Sequence, residues 1–480
     1  MKINKETVTY LANISIKVFI SFLSIRLLTT LLSKDEVGNY YLVLSIIGFI
    51  NLVILNPIGM YYNRTILEYK DKGKLYESSF LVFLSFLSVG LISIPFLYFV
   101  YDWLELSKYV DILIFIVYMF LAIVVSTSLR NIISAINSLG KTILFTSVNI
   151  ISAISGLIFS IIMIFLFTKS SINWLYGIII SESIILMVLF FIYSGIKIDL
   201  NKIQFSLIKL KPILNFMYPI AIITLIVWIQ SMSYRIVIDR NFSSSDLAIA
   251  ALGFSIPGMI FSSVENFGSI YFNNRILKSL LKSTKEVREK TWNDISSLMI
   301  FFYILTFIFI VSFSYQILFV VAGNNYLESQ KFIFLGAIIE FMRVNINQLN
   351  KISHFEKNTK QNIIPFVTGG LITVIIFLFF EFSRIEKIYY VLIITQLIIL
   401  ILSYLFMNRL IKIKLKFSIK NIVLYSVPFL FGFLPFLNSD KLILNLIIIA
   451  VFGIYFLYIY KYEEALYSFI NSKFFIFSIL

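Results

Sequence analysis

Charged side chains embedded in long apolar runs are the residues of this sequence with chemical potential. Lys17, Arg26, Arg130, Arg235 and Arg343 are the cations so placed, and Glu265 and Glu340 the carboxylates. In hydrocarbon each costs about 2.5 to 3.5 kcal/mol on insertion scales, so each must face an interior, pair, or reach an interface. Guanidinium groups suit bidentate contact with phosphate oxygens. The carboxylates suit a proton, a sodium ion or a salt bridge, and the salt bridge is the favoured reading for Glu265. Other chemistries drop out. The chain has no cysteine and a single histidine, His354, which excludes disulfides, thiolate catalysis and His- or Cys-based metal clusters. No catalytic residue, metal or organic cofactor is expected; coupling to H+ or Na+ through Glu265 and Glu340 is the one ionic role left open.

Helical spacing sorts these groups into faces. Tyr10, Asn13, Lys17, Ser21 and Ser24 form one polar stripe. Arg26 follows Lys17 by about two and a half turns and so points away from that stripe, either to a cavity or outward to an interface. Thr224, Trp228, Ser231, Arg235 and Asp239 form a second stripe, in which Arg235 either binds a ligand or pairs with Asp239. Ser255, Gly258, Ser262, Glu265 and Ser269 share a face next to a hinge at Pro257-Gly258. Glu340, Arg343, Asn347, Lys351 and His354 make the most polar face of all, with His354 near a solvated end. Arg130 lies one turn beyond Ser126, and Glu182 is a weaker cavity candidate. The predicted lining is Lys17, Arg130, Arg235 and Arg343, with Arg26, Asn13, Trp228 and Asn347 as further cavity residues. It is more cationic than anionic and suits an anionic cargo.

The elements that carry these faces are membrane helices. Of 480 residues 59% are hydrophobic and only 14% charged, and Phe alone numbers 50, so lipid must solvate the apolar surface. Apolar runs long enough to cross the bilayer recur about fourteen times, the last two over 421–437 and 441–460. They do not alternate as barrel strands would. The fold class is an all-α membrane protein. The formal charge of +15 collects in alternate breaks, which reads as a positive-inside signal with both termini cytoplasmic rather than as nucleic-acid binding. Stretches 197–215 and 273–294 read as amphipathic helices on the inner leaflet.

Three arginine pairs recur at an offset of about 210 residues: Arg26 with Arg235, Arg64 with Arg275, and Arg130 with Arg343. An offset of six spans relates two halves about an axis along the membrane normal. The expected organisation is an N-terminal lobe over 1–195, an amphipathic linker over 196–215, a C-terminal lobe over 216–408, and two added spans with a cytoplasmic tail over 409–480. Such a plan holds a cavity between lobes that opens alternately to either side.

The run from Arg26 through Ser33, Lys34, Asp35, Glu36, Val37, Gly38 and Asn39 to Tyr40-Tyr41, followed by Asn63-Arg64, resembles the opening of Wzx-type bacterial polysaccharide flippases. These belong to the multidrug/oligosaccharidyl-lipid/polysaccharide exporter superfamily. The likeness extends to Arg235 through Phe242 and Ser243 to Leu247. It implies transfer of undecaprenyl-pyrophosphate-linked O-antigen or capsule units across the bacterial inner membrane, with membrane lipid, a polysaccharide polymerase and a chain-length regulator as partners. Trp228 and Tyr234 could then stack on sugars. A drug exporter of the same superfamily would prefer a carboxylate-dominated cavity, and a membrane glycosyltransferase or polymerase would need a large outer loop or a carboxylate-metal site; the sequence offers neither.

Overall fold

A computed structural model of the chain describes residues 5–193, 210–280, 284–356 and 358–416, with 422, 423, 426, 429, 443–451 and 454 beyond them. It is an all-α membrane protein. Twelve helices among the described residues are long and apolar enough to cross a bilayer. In chain order they are α1 (Lys5–Leu31), α2 (Lys34–Asp71), α3 (Leu75–Trp103), α4 (Ile112–Ser138), α5 (Thr142–Leu166) and α6 (Ser171–Tyr193). The second set is α7 (Leu210–Ser231 and Ser233–Asn241), α8 (Ser244–Leu280), α9 (Lys285–Ser312), α10 (Gln330–Phe355), α11 (Ile363–Phe379) and α12 (Ile385–Leu410). A short helix, Ser314–Val321, extends α9. Most of the predicted span over 421–437 and most of the linker predicted over 196–215 lie outside the described residues, and the last part of that linker, 210–215, is instead the start of α7; 443–451 is helical.

Local chemistry sets the helix ends. Ser33 caps α2 by accepting from the Glu36 N–H at 3.3 Å, and Asp35 and Glu36 add favourable charge to its first turn. Asp111 caps α4, accepting from the Leu113 N–H at 2.8 Å. The stretch 273–294 differs from its expected form as a separate surface helix. Its first part continues α8, which runs 37 residues, and its last part is the start of α9. Nothing between Phe272 and Leu280 breaks a helix, so α8 extends roughly 55 Å, well past a hydrocarbon core.

Two spans contain a π-helical turn: Asn51–Leu55 in α2 and Ala122–Ser126 in α4. Such a turn inserts one residue into the helical register and rotates everything after it, and it is common at functional sites.

In the N-terminal half α5 packs on α6 and α1, and α4 on α2, α3 and α6. In the C-terminal half α10 packs between α8, α9 and α12, and α11 against α7 and α12. Gln230 rivets the last three: its Nε2 donates to Thr373 Oγ1 at 2.6 Å and its Oε1 accepts from Thr395 at 3.2 Å. The halves meet where α2 packs along α8 and α7, and where α1 packs on α8 and on the short helix Ser314–Val321. At the tightest approach, a Cβ on Gly38 would collide with the backbone carbonyl of Ser244, so only glycine fits there.

Candidate functional site

Among the described residues, Arg130 and Arg343 each anchor a polar cluster within the spans, and Lys17 makes a separate polar contact. In the N-terminal half, α4 leaves its π turn with Thr127 aimed at the π turn of α2, where its hydroxyl donates to Asn51 Oδ1 at 3.0 Å. One turn on, Arg130 is exposed although it sits mid-span. Its Nε donates to the Ser126 carbonyl at 3.2 Å and its Nη2 lies 3.5 Å from Thr127 Oγ1. The Ser126 hydroxyl donates to Glu182 of α6, whose charge reaches Arg130. Lys17, also exposed, donates to Asn149 Oδ1 of α5 at 2.7 Å. Asn13, one turn earlier, is buried with its Oδ1 unpartnered. Among the described residues neither Lys17 nor Arg130 forms an ion pair.

The C-terminal cluster is closed on itself. Arg343 of α10 donates through Nε to Glu340 at 2.7 Å, through Nη1 to Glu265 of α8 at 3.1 Å, and through Nη2 to Ser262 at 3.2 Å. Asn347 donates to the other Glu265 oxygen at 2.9 Å, and Lys351 to Gln348 at 2.9 Å. The side chain of Glu340 is only 4% exposed, so its charge depends on Arg343. The expected salt bridge of Glu265 is present, and its partner is Arg343.

Arg235, Arg26 and Trp228 stand elsewhere than in an open lining. The second stripe assumed a continuous α7, but the helix breaks at Met232, where φ is −134°. The break turns Arg235 out of register with Thr224 and Trp228. Arg235 is 7% exposed, lies 5.1 Å from the Tyr41 ring and 5.7 Å from the Tyr234 ring, and donates to the Tyr41 carbonyl at 3.3 Å. Asp239, its alternative partner, instead accepts from Ser244 at 2.8 Å. Arg26 donates to the Phe319 carbonyl at 2.8 Å. Trp228 donates to the Ser45 carbonyl at 2.9 Å and its ring meets Phe49 edge-on. The expectations for the side chains of Tyr10, Ser269, Arg275 and His354 fall outside the described residues.

Four contributors were not predicted as site residues: Asn51, Thr127, Asn149 and Arg240. The π turns that align the first two leave no mark in an apolar run. Asn149 and Arg240 acquire roles only from partners more than a hundred residues away.

A scan against protein-family models finds no match, and a search of curated protein sequences finds none either. Solved structures share the fold. The lipid II flippase MurJ in an inward closed conformation aligns with TM-score 0.63 at 15% identity, over 95% of this chain and 98% of that one. An outward-facing multidrug resistance MATE transporter of the MOP superfamily aligns with TM-score 0.57 at 12% identity, over 84% and 94%. A MOP superfamily transporter from Pyrococcus furiosus, described by the reverse polarity of its binding pocket, gives 0.57 at 13% identity over the same shares. The chain thus has the fold of the MOP transporters.

Proposed function

We propose that this chain is a flippase, a transporter rather than an enzyme, that carries an undecaprenyl-pyrophosphate-linked oligosaccharide across the bacterial inner membrane. The observation that carries the reading is the pair of exposed mid-span cations, Lys17 and Arg130, that have no ion-pair partner among the described residues. A cation kept at that depth without a paired carboxylate is costly unless an anion visits it. The fold shared with a lipid II flippase supports a lipid-linked cargo. On this reading the lobes over 1–195 and 216–408 rock about the cavity between them, Arg130 and Lys17 receive the pyrophosphate, and the lipid tail stays in the bilayer. Lysine and arginine in alternate breaks support cytoplasmic termini, which puts the end of α1 on the outer face. O-antigen or capsule units are the favoured cargo on the resemblance of the Arg26 and Arg235 segments, with a polymerase and a chain-length regulator acting on the product.

Glu265 and Glu340 are the candidates for H+ or Na+ coupling. Arg343 occupies both carboxylates, so a coupling cation must compete with it.

A deletion strain tests the function. Complete lipid-linked repeat units should accumulate on the inner leaflet and be cleared by the wild type but not by Arg130→Glu. Accumulation of incomplete saccharides instead would identify an enzyme and overturn the proposal.

A further inference from the structure

Three arginines join the halves at the end of the molecule where α1 and α7 finish, and two of them do so reciprocally. Arg26, in the last turns of α1, donates to the carbonyl of Phe319 near the C-terminus of the short helix Ser314–Val321 that extends α9. Arg240, in the last turn of α7, donates to the carbonyl of Trp103, the last residue of α3, at 3.3 Å and stacks 4.3 Å from its ring. Each arginine therefore meets the electronegative end of a helix from the opposite half. The two contacts correspond by helix, α1 to α7 and α3 to α9, six spans apart, although the arginine spacing pairs Arg26 with Arg235 rather than with Arg240. Arg235 braces the middle through the Tyr41 carbonyl at 3.3 Å.

Smaller contacts fill the same seam. The hydroxyls of Ser244 and Tyr109 are hydrogen-bonded at 3.0 Å, those of Ser255 and Tyr41 at 3.1 Å, and Lys34 lies 5.8 Å from the Tyr326 ring. Gly323 is fitted to Arg26: its φ is +87°, and a Cβ there would lie 2.6 Å from Arg26 Nη1. At the other end of α2 and α7 the recorded cross-contact is different in kind. Phe216 meets Tyr61 at 5.7 Å and Arg64 at 5.3 Å.

We propose that Arg26, Arg235 and Arg240 form a pseudo-symmetric latch that holds this end shut and must release for the passage to open there. The latch uses carbonyls rather than carboxylates. Releasing it strands no unpaired counter-charge, and water can replace the carbonyl as acceptor, which suits a contact made and broken once per cycle. This inference deepens the alternating-access reading and rests on it for the need to open, but not for the identity of the cargo.

The absence of native cysteine gives a direct test. Ser231→Cys places one thiol beside the α7 break, one turn below the latch. It is probed with a membrane-impermeant maleimide in vesicles of each orientation. The wild-type background should label slowly from the face where α1 ends. Arg26→Ala combined with Arg240→Ala should raise that rate about tenfold or more, the scale of losing charge-assisted hydrogen bonds, with Arg26→Lys intermediate and the exposed Lys72→Ala unchanged. Gly323→Val, which displaces Arg26 without removing its charge, is the second route to the same state if the double variant is poorly made. Unchanged labelling in the double variant, or in Gly323→Val when that is the variant obtained, overturns the latch. Labelling needs no cargo, so a raised rate in a chain that carries no lipid-linked saccharide would sink the proposed function and leave the latch standing.

Discussion

Arg130 and Arg343 are paired by the arginine spacing of about 210 residues, yet the structure surrounds them differently. In the C-terminal half two carboxylates and a serine take every edge of the Arg343 guanidinium, and Glu340 is buried against it. In the N-terminal half Glu182, whose charge reaches Arg130, is held by Ser126, and among the described residues Arg130 is exposed with a backbone carbonyl and a threonine as its hydrogen-bond partners. A neutralised arginine works as a structural tie, and an open one has binding capacity to spare. On the proposed function, anion binding falls to the N-terminal half and cohesion, or cation exchange, to the C-terminal half. The charge sum over the predicted lining, which treats all four cations alike, conceals this.

The largest effect should come from breaking the closed cluster. Arg343→Ala leaves Glu340 and Glu265 without their counter-charge and should cost about 3 to 5 kcal/mol, read as lost yield and a lower melting temperature in detergent. Glu265→Gln and Glu340→Gln added to Arg343→Met should recover most of that stability. A stable single variant would mean that the cluster is not a tie. Next, Gln230→Leu should cost about 1 to 3 kcal/mol by stripping Thr373 and Thr395 of their shared partner, with transport affected only through folding.

Opening the comparison from the other side, Arg130→Ala should leave the melting temperature within the range of ordinary surface substitutions, about 0.5 kcal/mol, while complementation of the deletion strain falls at least tenfold. Equal losses of stability and transport would erase the distinction between the halves. The smallest effect is expected from Thr127→Val, which removes the bond to Asn51 and costs about 0.5 to 1.5 kcal/mol. It should lower transport less than Arg130→Ala does.

Much of this was legible in the sequence because hydrophobicity and helical period are local. The apolar runs located the helices, and the Glu340, Arg343 and Asn347 spacing put those residues on one face; a salt bridge was expected for Glu265, but the identity of its partner, Arg343, came only from the structure. One cause of the failures is a change of register that composition does not record. The break at Met232 moved Arg235 off the Trp228 stripe, and the π turns before Asn56 and Thr127 rotated the polar groups that follow. The arginine spacing suggests a repeat, but whether each arginine faces a carboxylate or a carbonyl depends on the opposing helix. The run from Phe272 to Leu280 was misread because amphipathic spacing looks the same in a surface helix as in the projecting end of a span.

The central claim is tested most directly in proteoliposomes holding the purified protein and an undecaprenyl-pyrophosphate oligosaccharide, with leaflet exposure of the saccharide followed over time. The wild type should equilibrate the lipid between leaflets, Arg130→Glu should not, and Arg130→Lys should keep part of the activity. Equal transfer by wild type and Arg130→Glu would contradict the account.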